Sequence, residues 1–110
     1  MLKDYIINNH GATINAKGNI VTLKTGYQVS RKNLGRVAVK DFTQDMVTAI
    51  IANGLNHGDY AGFWVEDGFV YCDISRRHAT KKQAIAKGKE LGEIAVWDWA
   101  KSRNLYCAEA

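Results

Sequence analysis

Two runs rich in β-branched and aromatic residues, Ala61 to Glu66 and Phe69 to Ser75, are separated by Asp67-Gly68 alone. An Asp-Gly pair in that position is a strong signal for a two-residue hairpin, because a type I′ turn holds both central residues at positive φ. Such a turn fixes the register: Glu66 faces Phe69, Val65 faces Val70, Trp64 faces Tyr71, Phe63 faces Cys72 and Gly62 faces Asp73. Facing residues share one side of the sheet. Phe63, Val65, Val70, Cys72 and Ile74 therefore form an apolar side that must turn to the core, while Trp64, Phe69 and Tyr71 lie on the other side beside Glu66 and Asp73. Near the end of the chain Ile94 and Val96 alternate with Trp97 and Trp99 in the same way, and Asp98 is expected to lie with the other acids around the aromatic side. A face carrying Trp64, Phe69, Tyr71, Trp97 and Trp99 requires a cover or a partner. The cover would be the N-terminal helix and hairpin folded across it; the partner would use the aromatics as rigid anchors of a recognition surface.

The remaining elements follow from capping and periodicity. Leu2 to Asn9 predicts a short helix ended by a glycine cap at His10-Gly11. Ala12 to Ile14, Ile20 to Leu23 and Tyr27 to Val29 predict short strands joined by tight turns, and Arg36 to Lys40 a further strand. Thr43 caps a helix with Met46, Val47, Ile50 and Ile51 on one face, ending at Gly54. Thr80, with Gln83 three residues on, starts another helix that stops at Gly92, and Gly88, on the stripe of Ile85 and Leu91, would let it approach the sheet closely. Glu93 to Trp97 and Asn104 to Cys107 close the chain as strands. From Arg36 the order strand, helix, strand, strand, helix, strand is that of a ferredoxin-like split βαβ unit. The expected fold is α+β: an antiparallel sheet packed on two helices, with an added N-terminal helix and hairpin, or alternatively two separate hairpins.

Residues 1–110 allow one domain with one core. With 46% apolar and 24% charged residues the composition is that of a folded globule. No stretch reaches the roughly 18 apolar residues that cross a bilayer, and Met1 to His10 lacks the pattern of a secretion signal, so the chain is expected to be cytoplasmic with no membrane partner. Cys72 and Cys107 fit neither a zinc spacing nor a CxxC motif and are expected to be reduced, small apolar residues. His10, His57 and His78 fall in loops or at element ends, with no helical metal pair. Pairs such as Glu66 with Asp73, or Asp59 with Asp98, are not specific in a chain with 11 acids. The glycines form no phosphate loop. These patterns point away from an enzyme and call for no catalytic residue, no metal and no cofactor.

Charge is uneven. Arg76, Arg77, Lys81, Lys82, Lys87 and Lys89 lie in an acid-free stretch around a predicted helix start, where several phosphates could be met. Phe69 and Tyr71, two apart on an inner strand, are placed similarly to the stacking aromatics of RNA-recognition domains. The basic-glycine-aromatic consensus of those domains is missing, however, and Glu66, Asp73 and Asp98 would repel phosphate. Nucleic acid is the alternative partner on this reading, through Arg76 to Lys89.

The segments Gly62-Phe63-Trp64-Val65, Gly68 to Ser75, Ala84 to Gly88 and Ile94-Ala95-Val96-Trp97-Asp98-Trp99 resemble the C-terminal half of small uncharacterised accessory proteins of bacteriophages and other mobile elements. The resemblance covers roughly half the chain. It implies a protein that acts by binding a host protein, including defence nucleases of the CRISPR type, with Trp64, Phe69, Tyr71, Trp97 and Trp99 as the expected protein-binding residues.

Overall fold

The computed structural model describes residues 1–109. In chain order the elements are α1 (Leu2–Asn8), β1 (Gly11–Asn15), β2 (Ile20–Val21), β3 (Tyr27–Ala38), α2 (Gln44–Ala49), β4 (Asp59–Glu66), β5 (Phe69–His78), α3 (Lys81–Glu90), β6 (Ala95–Asp98) and β7 (Arg103–Tyr106). A short 3-10 turn precedes α2, and a π-helical turn, Ile50–Gly54, continues it.

The strands form one 7-stranded sheet in the order β2-β1-β4-β5-β3-β6-β7 with every neighbouring pair antiparallel. Within it, β6-β3-β5-β4 is the strand order of a split βαβ unit. The β1–β2 hairpin extends that unit beyond β4, and β7 extends it beyond β6. Asp67 and Gly68 take φ of 51° and 82°, the two left-handed conformations a type I′ turn needs. All five residue pairs expected across the hairpin are formed.

The core face has two apolar centres. Ile6, Ile14, Phe42, Val47, Ala61, Phe63, Val70 and Cys72 pack where α1 and α2 meet β1, β4 and β5. Val29, Ala84, Ile85, Val96 and Cys107 pack where α3 meets β3 and β6. Thr43 and Thr80 cap their helices as expected, their hydroxyls accepting from the N–H of Met46 and Gln83 at 3.3 and 3.2 Å. A Cβ on Gly88 would lie 2.9 Å from Cys107 Sγ and 3.1 Å from Val96 Cγ1, so glycine there sets how closely α3 lies on the sheet.

Several expectations are corrected. Tyr27 to Val29 and Arg36 to Lys40 are not separate strands but parts of one 12-residue strand, so the split βαβ unit begins at Tyr27. Register shifts at Arg31 and Leu34 insert two β-bulges into it, which break the alternation of side chains and bend the strand. After the first helix it is His10, at φ 60°, that takes the left-handed position, with Gly11 already in β1. Gly11 is required for another reason: a Cβ there would lie 2.6 Å from the Phe63 carbonyl oxygen of β4. Met46, Leu91 and Ile94 point away from the core and are exposed.

The first bulge also aims Arg31 at Asp59, whose side chain is fully buried on the helix-bearing side. Arg31 reaches Asp59 at 2.7 Å and Arg76 at 2.6 Å, and the Asn56 N–H donates to the same carboxylate at 2.9 Å. Three strands are thereby tied through one ionised group.

Candidate binding face

Strand alternation and helix packing together decide what is left uncovered. The buried residues of α1, α2 and α3 all join the two apolar centres on one side of the sheet. The opposite side carries Trp64, Phe69, Tyr71, Trp97 and Trp99, as the alternation predicted. Of the two expected resolutions, the cover is not built. Ile6 of α1 lies in the core, and the β1–β2 hairpin extends the sheet sideways instead of folding across it.

The aromatics do not form one continuous patch. At the turn end Trp64, 41% exposed, stacks on Tyr71 with ring centres 5.3 Å apart and planes 8° apart. Arg36 lies 4.1 Å over the Phe69 ring, so this aromatic is already partnered by a cation of its own chain. At the far end Trp97 and Trp99 meet edge to face at 6.4 Å. A groove of 980 Å³ runs between them across the sheet, reaching from Val21 in β2 to Asn104 in β7.

The floor of the groove is polar and built from residues far apart in sequence. The Trp99 indole N–H donates to Gln28 Oε1 at 3.0 Å, and the Gln28 amide donates to Ser75 Oγ at 2.9 Å. Gln28 and Ser75 are buried and their hydrogen bonds are made, which fixes the floor rigidly. Ser30 pairs with Ser75, and Asp73 pairs with Gly62. The Asp73 carboxylate lies directly over Gly62, in the space a Cβ would occupy. Burial pushes the Asp73 pKa up; a hydrogen bond from Ser30 works against this, while the nearby negative charge of Glu93 adds to it.

No family model, no curated protein and no solved structure matches this chain.

The basic residues grouped in sequence are dispersed in space. Arg76 is bound to Asp59 and to the His57 carbonyl, the latter at 3.1 Å. Arg77, on the opposite side of β5, donates to the Thr25 carbonyl and hydroxyl at 3.0 Å each and lies across Gly26. Lys87 pairs with Glu90 at 3.3 Å. That leaves Lys81, Lys82 and Lys89 as exposed cations on α3 outside any ion pair among the described residues.

The suggested carboxylate pairs are not assembled either. Glu66 sits at the turn opposite Phe69, whereas Asp73 lies farther along β5 opposite Gly62. Asp59 is taken up by its two arginines. Asp98 is not beside the aromatics as expected: it is buried on the other side of β6 from Trp97, accepting from the Lys101 N–H at 3.3 Å. Both cysteines are free and buried, and burial together with the Asp73 charge pushes the Cys72 thiol up to about 11. His78 is pushed down by burial and by the positive charges of Lys87 and Arg76. Among the described residues no group of three or more His, Cys, Asp or Glu is placed to hold a metal, and no helix is long and apolar enough to cross a membrane.

Gln28, Ser30, Gly62, Ser75 and Glu93 were not singled out from sequence as groove residues. Gly62 was within reach, since the hairpin register already set the one residue without a side chain opposite Asp73. The others depend on contacts such as Gln28 with Ser75, 47 residues apart.

Proposed function

We propose that the chain is a non-enzymatic binding module whose partner is a protein docked on the uncovered sheet face. The observation that carries this reading is one-sided packing: the helices cover one face, while the other keeps two aromatic pairs on either side of a wide groove. Indole and phenol rings held on a rigid sheet, Trp64 exposed and Tyr71, Trp97 and Trp99 partly so, lose little conformational entropy on binding, which suits them to be interface anchors. A protein is favoured over nucleic acid because Glu66, Asp73 and Glu93 line or adjoin the groove, whereas Arg76 and Arg77 are engaged in holding the fold. On the resemblance read from the sequence, the kind of partner we propose is a host protein, such as a CRISPR-type defence nuclease.

Two arms test this. Fluorescence anisotropy with mixed DNA and RNA at two salt concentrations should show only weak binding. Submicromolar, salt-sensitive binding that is lost in Lys81→Ala/Lys82→Ala/Lys89→Ala would overturn the reading in favour of nucleic acid. In the second arm a photocrosslinker is placed at Phe69 beside the groove or at Lys82 on α3. The Phe69 probe should give a discrete protein adduct that Trp64→Ala or Trp97→Ala removes, since a central anchor commonly contributes ~2 kcal/mol or more.

A further inference from the structure

We infer that the groove takes a basic segment of the protein partner, with the guanidinium of an arginine side chain seated against Asp73 and Glu93. The inference rests on the proposed function and names the chemistry of the occupant.

Charge complementarity carries it. The chain has 15 Lys and Arg against 11 Asp and Glu, so cations are in excess. Elsewhere Asp59 holds two arginines and Glu90 holds Lys87, while Glu66, Asp73 and Glu93 gather along the groove, whose lining includes no Lys or Arg. Among the described residues no Lys or Arg is in ion-pair contact with Glu66, Asp73 or Glu93, although all three line the groove. A basic protein has thus lined this groove with acids and no bases, Asp73 on the middle strand β5 and Glu93 on the segment between α3 and β6. Asp73 and Glu93 both line the groove, and the Glu93 charge adds to the upward push on the Asp73 carboxyl.

The shape of the site selects the occupant further. With Gly62 beneath it, the Asp73 carboxylate sits low on the sheet, and a long side chain entering from solvent can reach it end-on. Arginine matches this arrangement better than lysine. Its planar donors can bridge two carboxylates, and its flat face can lie on an indole such as Trp97, which lines the same groove. A half-buried carboxylate held by the Ser30 hydroxyl but by no cation is unfavourable in the free protein, and a docked guanidinium would reduce that penalty. Phosphate groups would meet charge of their own sign in the same place.

The test uses the full chain and three blocked nonapeptides: oligo-arginine, oligo-lysine and oligo-citrulline, the last keeping arginine's shape without its charge. Binding is read by NMR shifts of the indole N–H signals and by calorimetry. Oligo-arginine should bind most tightly and move the Trp97 and Trp99 indole signals, with oligo-lysine weaker and oligo-citrulline not binding. Asp73→Asn/Glu93→Gln should weaken oligo-arginine by about tenfold or more, whereas Asp45→Asn/Glu90→Gln on the outer surface should leave it within about twofold. Gly62→Ala, which displaces the Asp73 carboxylate without removing it, should weaken it as well. Equal binding of citrulline and arginine, or equal effects of the groove and outer-surface variants, would overturn the inference. Those results would leave the Phe69 crosslink and its dependence on Trp64 and Trp97 intact, so this failure is distinct from failure of the proposed function.

Discussion

Asp59 and Asp73 lie on adjacent strands, yet their surroundings pull them in opposite directions. For Asp59 burial raises the pKa, but hydrogen bonds from Arg31, Arg76 and the Asn56 N–H outweigh it, and the carboxyl ends below its usual value. Its contribution to stability is complete above the unfolded pKa of about 3.9 and is lost as pH falls through the lower folded value. Thermal melts should therefore show stability dropping below about pH 4, and Asp59→Asn should flatten that acid limb. The same variant should cost about 2 kcal/mol or more at neutral pH, because it leaves two arginines without their counter-ion. Asp73 has the reverse sign. Its folded pKa is raised, so the ionised form opposes folding at neutral pH and the penalty disappears as pH falls through that value. Asp73→Asn should raise the melting temperature at pH 7, with a gain that shrinks on acidification. A stabilising substitution in the middle of a candidate site is the pattern expected where a residue is kept for binding and not for folding.

At the scale of elements, the contact between α3 and the sheet depends on one missing methyl. Gly88→Ala should gain up to ~1 kcal/mol in helix propensity but lose about 1–3 kcal/mol to crowding against Cys107 and Val96. The net destabilisation, read by chemical denaturation, should be partly relieved when Cys107→Ala is added, because the two sites share a contact. Gly88 was legible from its place on the Ile85 stripe, and the hairpin at Asp67-Gly68 was legible to the last residue pair, because both are decided by near neighbours in sequence. β3 was not. Its inserted residues, Arg31 and Leu34, shift the side-chain alternation twice within a few positions, so a continuous strand has the pattern of two short ones with a loop between them. The aromatic side of the groove followed from alternation alone. Its floor did not, since Trp99, Gln28 and Ser75 meet only after β3 has been placed between β5 and β6. Asp98 was misplaced by its neighbours: lying between two outward tryptophans, it must point inward by the same alternation that turns them out.

For the whole molecule, the decisive feature is that β3 belongs to both apolar centres and is held unequally on its two edges. Toward β5 it is paired from Tyr27 to Ala38; toward β6 only Tyr27 and Gln28 have partners. The outer edge beyond Gln28 is bent by two bulges and carries Arg31, Lys32 and Arg36, features that discourage other chains from adding a strand there. The groove's two aromatic walls consequently stand on different supports, Trp64 and Tyr71 on the broad β4–β5–β3 ladder and Trp97 and Trp99 on a short one. Amide hydrogen exchange should resolve this as two tiers. Protons of β4, β5 and their partners in β3 should exchange only through global unfolding, while those of β6 and β7 should exchange sooner, through a partial opening that leaves the larger ladder intact. Pulled from its C-terminal end, the domain should likewise yield in steps, shedding β7 and β6 at low force before the remainder gives way.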